Sequence, residues 1–220
     1  ARSLPKELHD CFDFGEQCRC YCEECHWQRG DAPVYPRGDK IYAIPLGWVR
    51  IALRTGGAQA NLLGAFDWNV GFHSTLPDAL PAILGTGHLV RPGAVVAALE
   101  SHSVSIREDH INKPFWRWNH YTWDREWFDP CQIFCSPSIR YCEFYAKPVT
   151  FEAPSGHEYL AKVALQLRLK PGSYSVGQST LHPYPGSIDP HISNDEIEWY
   201  TSGDEHGSHV ITGLMVKLTL

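Results

Sequence analysis

Apolar and polar positions alternate most clearly in the second half of the chain. In YLAKVALQLRLKPG, Val163, Leu165, Leu167 and Leu169 alternate with Lys162, Gln166, Arg168 and Lys170 before Pro171 and Gly172 turn the chain. In VITGLMVKLTL, Leu214, Val216, Leu218 and Leu220 share one side. A period of two is the mark of a strand. GWVRIALR repeats the pattern with Val49, Ile51 and Leu53, and FDWNVGFH reads as a short strand ending on His73. STLPDALPAILGTG, residues 74–87, reads as a helix. Thr75 or Asp78 can cap it, Pro77 and Pro81 are tolerable only in its first turn, Leu80, Ile83 and Leu84 form its apolar side, and Gly85 or Gly87 ends it. The expected class is therefore α+β, mostly strands with few short helices. His73, Ser74 and Thr75 then occupy a strand-to-helix corner, where side chains reach the mouth of a sheet.

Two stretches resist this reading. Residues 112–130 (NKPFWRWNHYTWDREWFDP) hold four of the eight tryptophans with no clean period, which predicts a packed surface loop or lid. In SNDEIEWYT, strand alternation would put Glu196, Glu198 and Tyr200 on one face, with Ile197 and Trp199 on the other. Two carboxylates held that close on a pocket wall would let one orient a ligand hydroxyl while the other has its proton affinity changed.

Composition narrows the function. The 220 residues are 43% hydrophobic and 12% aromatic, enough for one sizeable core. The net charge of −6 argues against a protein that holds nucleic acid mainly through phosphate neutralisation. No apolar run approaches the ~18 residues of a membrane span, and no signal segment opens the chain, which begins at Ala1 as a fragment or processed chain would. Arg-Gly-Asp triplets begin at Arg29 and Arg37, within a sequence rich in loop residues, where an adhesion-site reading is a poor one.

Five of the eight cysteines fall within the first 25 residues. The run Cys20-x-Cys22-x-x-Cys25-His26 is too tight for several disulfides and suits tetrahedral Zn²⁺. Cys22 and Cys25 are the firmest ligands, while Cys18, Cys20, Cys11 and His26 compete for two further places. Cys18, Cys20, Cys22 and Cys25 form the expected set. Cys131, Cys135 and Cys142 read as small buried residues. Zinc-bound thiolates imply a reducing cytoplasmic or nuclear compartment. The expected division is a Cys-rich segment and linker over residues 1–40 and a second unit over 41–220.

Common catalytic templates are missing: there is no G-x-S-x-G, H-E-x-x-H, P-loop or G-x-G-x-x-G after a strand, and no deaminase signature. Three separated features remain, FHST at residues 72–75, IFCSPSIRY at 133–141 and the late E-x-E. In that order they resemble the ADP-ribosyltransferase superfamily, in its diphtheria-toxin and poly(ADP-ribose) polymerase branch. CEECHWQRGD, PLGWVRIAL, FHST, SPSIRYC, KPGSYSVG and DPHISNDEIEW are together similar to the carboxy-terminal region of the neuralized-like protein four family, over nearly the whole chain but without its neuralized repeats.

The resemblance implies a split β-sheet ADP-ribosyltransferase core, beside the zinc-binding segment read from the cysteine spacing, and NAD+ as substrate. It implies that His73, Ser74 and Thr75 hold the ribose and amide at the nicotinamide end. Phe134 would take the inner aromatic place, Tyr141 would stack on the nicotinamide, and Ser136 would join the NAD+ contacts. Glu198 would bind the ribose hydroxyl, and Glu196 would orient or deprotonate the acceptor. Ser74 stands where a glycine is usual, and Phe134 lacks a tyrosine's hydroxyl. The chemistry agrees with these roles: breaking the ribose–nicotinamide bond builds positive charge at the anomeric carbon, which a fixed carboxylate stabilises, while nicotinamide leaves neutral. The expected activity is mono-ADP-ribosylation of a macromolecular acceptor, protein or nucleic acid. RNA 2′-phosphotransfer from the same fold, and a catalytically silent binding module, are the alternatives.

Overall fold

The computed structural model describes residues 6–15, 17–54, 65–89, 115–119, 123–129, 132–181, 186–201 and 207–219. From the amino end come β1 (Phe12–Asp13), β2 (Arg19–Cys20), α1 (Glu23–Arg29), β3 (Val34–Arg37), β4 (Lys40–Ala43) and β5 (Val49–Leu53). β6 (Asn69–Ser74) leads through a 3₁₀ turn at Pro77–Ala79 into α2 (Leu80–Thr86). β7 (Phe115–Asn119), β8 (Asp124–Phe128), β9 (Ile133–Cys135) and α3 (Ile139–Tyr145) follow. The remainder is strand: β10 (Val149–Glu152), β11 (Glu158–Leu169), β12 (Ser175–Gly177), β13 (Glu198–Thr201) and β14 (His209–Thr219). The α+β class expected from the pattern holds. No helix of the described residues is long and apolar enough to cross a membrane.

β11 organises the larger, antiparallel sheet. β14 runs along one of its edges, while β10 takes the first residues of the other edge and β6 takes 164–169. β5 lies outside β14 and carries β1 and β2. The apolar half of the β11 alternation, Val163 to Leu169, packs with Trp199, Ile211, Leu214 and the α2 residues Leu80 and Leu84. Each fully buried leucine there contributes about 1.5–3 kcal/mol.

The opposite face is also covered, although the sequence marks it as polar. Ala164 packs beneath Trp48, Phe72, Ile139, Cys142 and Met215. Gln166 is buried with partners: its Oε1 accepts from Arg50 Nε at 2.6 Å and its Nε2 donates to the Tyr42 hydroxyl at 3.4 Å. Lys162 and Lys217 both reach Glu143, at 3.3 and 2.8 Å, and so pin α3 to the sheet. Burial alone would raise the Glu143 carboxyl's pKa, but the two ammonium groups hold it below its usual range.

A second sheet has the order β12-β13-β9. Its register sets Trp199 opposite Cys135 and Tyr200 opposite Phe134. The two sheets meet at an isolated bridge between Phe72 of β6 and Ser136, just past β9. Both of its bonds are present: Phe72 N–H donates to Ser136 O at 2.7 Å, and Ser136 N–H donates to Phe72 O at 2.9 Å.

Several expectations shift. The helix expected over residues 74–87 is a 3₁₀ turn followed by α2, which Gly87 ends in the left-handed conformation (φ 73°). The strand expected over 66–73 starts at Asn69 and runs to Ser74. The expected boundary near residue 40 falls inside the β3–β4 hairpin, and the amino-terminal segment contributes β1 and β2 to the larger sheet and Phe12 and Tyr21 to the two cores.

Residues 115–119 and 124–128 form a regular hairpin instead of the expected loop, with Trp116 in register opposite Trp127 and Arg117 opposite Glu126. Periodicity along one strand does not display such a register. Both Arg-Gly-Asp triplets are turns. Gly30 (φ 63°) caps α1, and Gly38 (φ 66°) turns β3 into β4 where an added Cβ would meet Asp67 O at 2.8 Å.

Candidate active site

The seam between the sheets gathers most of the residues that the motifs singled out. His73 lies on β6 opposite Leu165, and its Nδ1 is 2.7 Å from the Phe134 carbonyl. A carbonyl only accepts, so Nδ1 carries the proton and Nε2 is the acceptor of the neutral ring. Ser74 turns its hydroxyl the other way and donates to the Cys142 carbonyl on α3. The methylene and hydroxyl added at this position therefore sit against α3 rather than along the His73 face. Cys142 in turn points its thiol at the Phe72 carbonyl, 3.2 Å away. Thr75 follows the strand, half-buried, with its hydroxyl 3.5 Å from Leu76 O. Phe134 places its ring 6.2 Å from that of Tyr200.

Glu198 opens β13 and is only 6% exposed. Its Oε2 accepts from the Tyr141 hydroxyl at 2.6 Å and from the Thr180 hydroxyl at 2.9 Å. Thr180 N–H donates to the Tyr141 oxygen at 3.0 Å. The Tyr145 hydroxyl closes the group, 3.0 Å from that of Tyr141 and 2.8 Å from that of Thr180. Tyr141 and Tyr145 are one helical turn apart on α3, so they share a face, with their rings edge to face at 5.3 Å. Burial first, and the neighbouring carboxylate second, push the Tyr141 pKa far above its ordinary value. Tyr141 thus stays protonated and holds the Glu198 side chain by a short hydrogen bond.

A second layer fixes α3. Ser138 caps the helix by accepting from Tyr141 N–H at 3.2 Å, and gives its own proton to Asp189 at 2.6 Å. Asp189 also accepts from His191 N–H at 2.9 Å, and Ser138 N–H donates to the Ser136 hydroxyl at 3.0 Å. All three side chains are at most 3% exposed. The SPS and DPH motifs are therefore in contact: one carries the helix cap and the other the carboxylate that orients it.

Glu196 does not share this environment. It precedes β13 in a turn closed by its own N–H on Ser193 O at 3.1 Å, and its side chain is exposed. Its carbonyl accepts from Trp199 Nε1 at 3.1 Å. Strand alternation fails here because the strand begins two residues later, so the two glutamates occupy different media instead of one face.

Thr180, Tyr145 and Asp189 were not foreseen. Tyr145 carries a signal in its spacing of four from Tyr141, and Asp189 stands in the DPH motif. A further histidine, His209, lies opposite Leu169 on the face of the sheet that His73 occupies. Burial, and then His73 and His88, push its pKa down to about 4. Its Nε2 accepts from Leu89 N–H at 3.2 Å.

No protein-family model matches this chain, and no solved structure matches it. The site is read from its own atoms.

Away from the seam, the sulfurs of Cys20, Cys22 and Cys25 all lie within 4.8 Å of one another. The other two amino-terminal thiols are engaged elsewhere. Cys18, expected among the ligands, donates to Asp13 O at 3.0 Å and accepts from Ala52 N–H at 3.4 Å, because the pairing of the first strands with β5 draws it into the sheet edge. Cys11 points at Leu84 O, 3.9 Å away. All seven described cysteines are free; Cys135 and Cys142 are buried as expected, and Cys131 lies outside the described residues.

Proposed function

We propose that this chain transfers ADP-ribose from NAD+ to a macromolecular acceptor, protein or nucleic acid, using an ADP-ribosyltransferase-like fold built on the two sheets. The observation that carries the reading is Glu198: a buried carboxylate with fixed orientation at the junction of β9, β13 and α3, one β-bridge away from the strand that bears His73. The resemblance assigns the same three positions, His73, Tyr141 and Glu198, to one end of NAD+.

In this reading the bond between ribose C1′ and the nicotinamide nitrogen breaks, and its electron pair goes to the departing ring, which leaves neutral. Glu198 accepts a hydrogen bond from a ribose hydroxyl and stabilises the positive charge at C1′. The Tyr141 hydroxyl, a permanent donor, keeps the carboxylate aimed. His73, steered by the Phe134 carbonyl, offers Nε2 to the second ribose hydroxyl, and Ser136 and Thr75 line the approach. The acceptor's nucleophile bonds to C1′ and loses its proton, a step assigned to the exposed Glu196.

One observation favours a second reading, a binding module that does not turn NAD+ over. Tyr141 is 2% exposed and its ring is covered by Tyr145, so the surface assigned to nicotinamide is occupied by the protein itself. RNA 2′-phosphotransfer has less support, since Arg50 and Arg168 hold backbone carbonyls of their own chain.

Nicotinamide release from NAD+ separates these readings. The transferase reading expects release by the wild type and its loss in Glu198→Gln. Release by neither protein, with NAD+ still binding in calorimetry, establishes the module. Labelled NAD+ incubated with the chain and a cell extract, followed by protease or nuclease, identifies the acceptor class.

A further inference from the structure

The segment over residues 20–31 takes no part in the reaction proposed above, and its architecture is unusual. α1 is seven residues long and buries none of them; Trp27 is 83% exposed. A helix this short is not stable on its own, and none of its residues is buried in a core to replace the missing length. The link between its end and β2 is polar: the Asp31 carboxylate, 10% exposed, takes Arg29 at 2.7 Å and Arg19 of β2 at 2.9 Å. A group bound between α1 and β2 would add to that restraint.

The three sulfurs stand where that restraint would be. Cys20 ends β2, Cys22 is the N-cap of α1, and Cys25 is in its first turn. Backbone N–H groups point at two of them: Cys22 N–H to Cys20 Sγ and Cys25 N–H to Cys22 Sγ, both at 3.4 Å. Amides aimed at sulfur fix its direction, as they do around metal-bound thiolates. His26 is next in sequence. Its Nδ1 is buried with no hydrogen-bond partner and lies 3.8 Å from Asp31 Oδ2. A carboxylate beside one ring nitrogen is the usual companion of a histidine whose other nitrogen binds a metal.

We propose that Cys20, Cys22, Cys25 and, through Nε2, His26 bind one Zn²⁺, with Asp31 accepting from Nδ1–H and Cys18 taking no part. Three thiolates and an imidazole select zinc over the oxygen-seeking Mg²⁺ and Ca²⁺. The His26 nitrogens lie outside the 4.8 Å group of sulfurs, so binding draws the ring in toward them. Each coordinating thiol loses its proton to solvent as its sulfur bonds the metal, so uptake at neutral pH releases acid. The bound ion ties α1 to the edge of the larger sheet through Cys20, which pairs with Val49.

The test uses the full chain purified without chelator. Elemental analysis should find about one zinc per chain, and X-ray absorption should fit three sulfurs and one nitrogen near 2.3 and ~2.0 Å. Cys18→Ser should keep the metal, while Cys20→Ser and Cys25→Ser should lose it. Asp31→Asn should weaken zinc binding by about 10–100-fold in competition with a chelator. Should the cysteine variants fail to fold, Co²⁺ titration of the metal-free wild type reports the same donor set through its absorption bands. A metal-free protein that takes up neither ion, a shell without nitrogen, or loss of zinc in Cys18→Ser overturns the assignment.

Discussion

At the seam, Glu198 is held by Tyr141 and Thr180, 57 and 18 residues away in sequence, inside a region almost closed to water. At the amino end, three sulfurs within 4.8 Å come from six consecutive residues on a surface that buries nothing of its helix. The first arrangement exists only once two sheets and α3 have packed; the second needs one turn of backbone. Reactive groups of the first kind depend on the core for their geometry, and those of the second kind depend on a few residues close in sequence. Substitutions should therefore have different signatures at the two places.

The largest expected difference is in chemistry. Glu198→Gln keeps the size of the side chain and a hydrogen-bonding end, so the fold should survive, while nicotinamide release falls by about 10³-fold or more. Thermal unfolding measured beside the activity assay separates the two effects. Activity retained in this variant would transfer the role to Glu196 and remove the reason for the buried hydroxyl cluster.

Stability should follow burial. Trp199 is 2% exposed in the core, stacked on Tyr174 at 4.7 Å, and Trp199→Ala should cost about 3–5 kcal/mol in urea unfolding. Trp27→Ala, the same change on α1, should cost less than about 0.5 kcal/mol. Equal losses would mean that α1 packs against something more than itself.

Acid should act through the core as well. The buried His209 has a folded-state pKa near 4, below the ordinary 6.5, so the unfolded chain binds its proton more tightly. Its contribution to stability is complete above about pH 6.5 and is lost as pH falls toward 4, on the order of 1 kcal/mol per pH unit across that window. Urea midpoints at pH 7 and pH 5 should converge in His209→Gln relative to the wild type. The smallest effect belongs to the surface: Arg29→Ala breaks a pair to Asp31 and should change stability by about 0.5 kcal/mol or less.

Legibility in the sequence followed the same division. The strands of β11 and β14 are written in their alternation, and the crowded cysteines announce their own proximity. The cap at Ser138 was quoted as part of a motif, but its partner Asp189 lies 51 residues on and no spacing rule connects them. Thr180 carries no signal at all, since a threonine after a short edge strand looks like any loop residue. Glu196 was misplaced because E-x-E was read as strand on composition, whereas the turn from Ser193 sets where the strand starts. Spacing alone favours Cys18 as a ligand, whereas the pairing of its neighbours with β5 engages its sulfur with Asp13 O and Ala52 N–H.

The Phe72 and Ser136 peptides exchange two hydrogen bonds with no further rung beside them. Deuterium should therefore enter those two amides together, at the rate of whatever motion parts the sheets. A compound that wedges the sheets open would accelerate both, and one that clamps them would slow both. That single pair of amides is an intrinsic gauge of access to the carboxylate beneath.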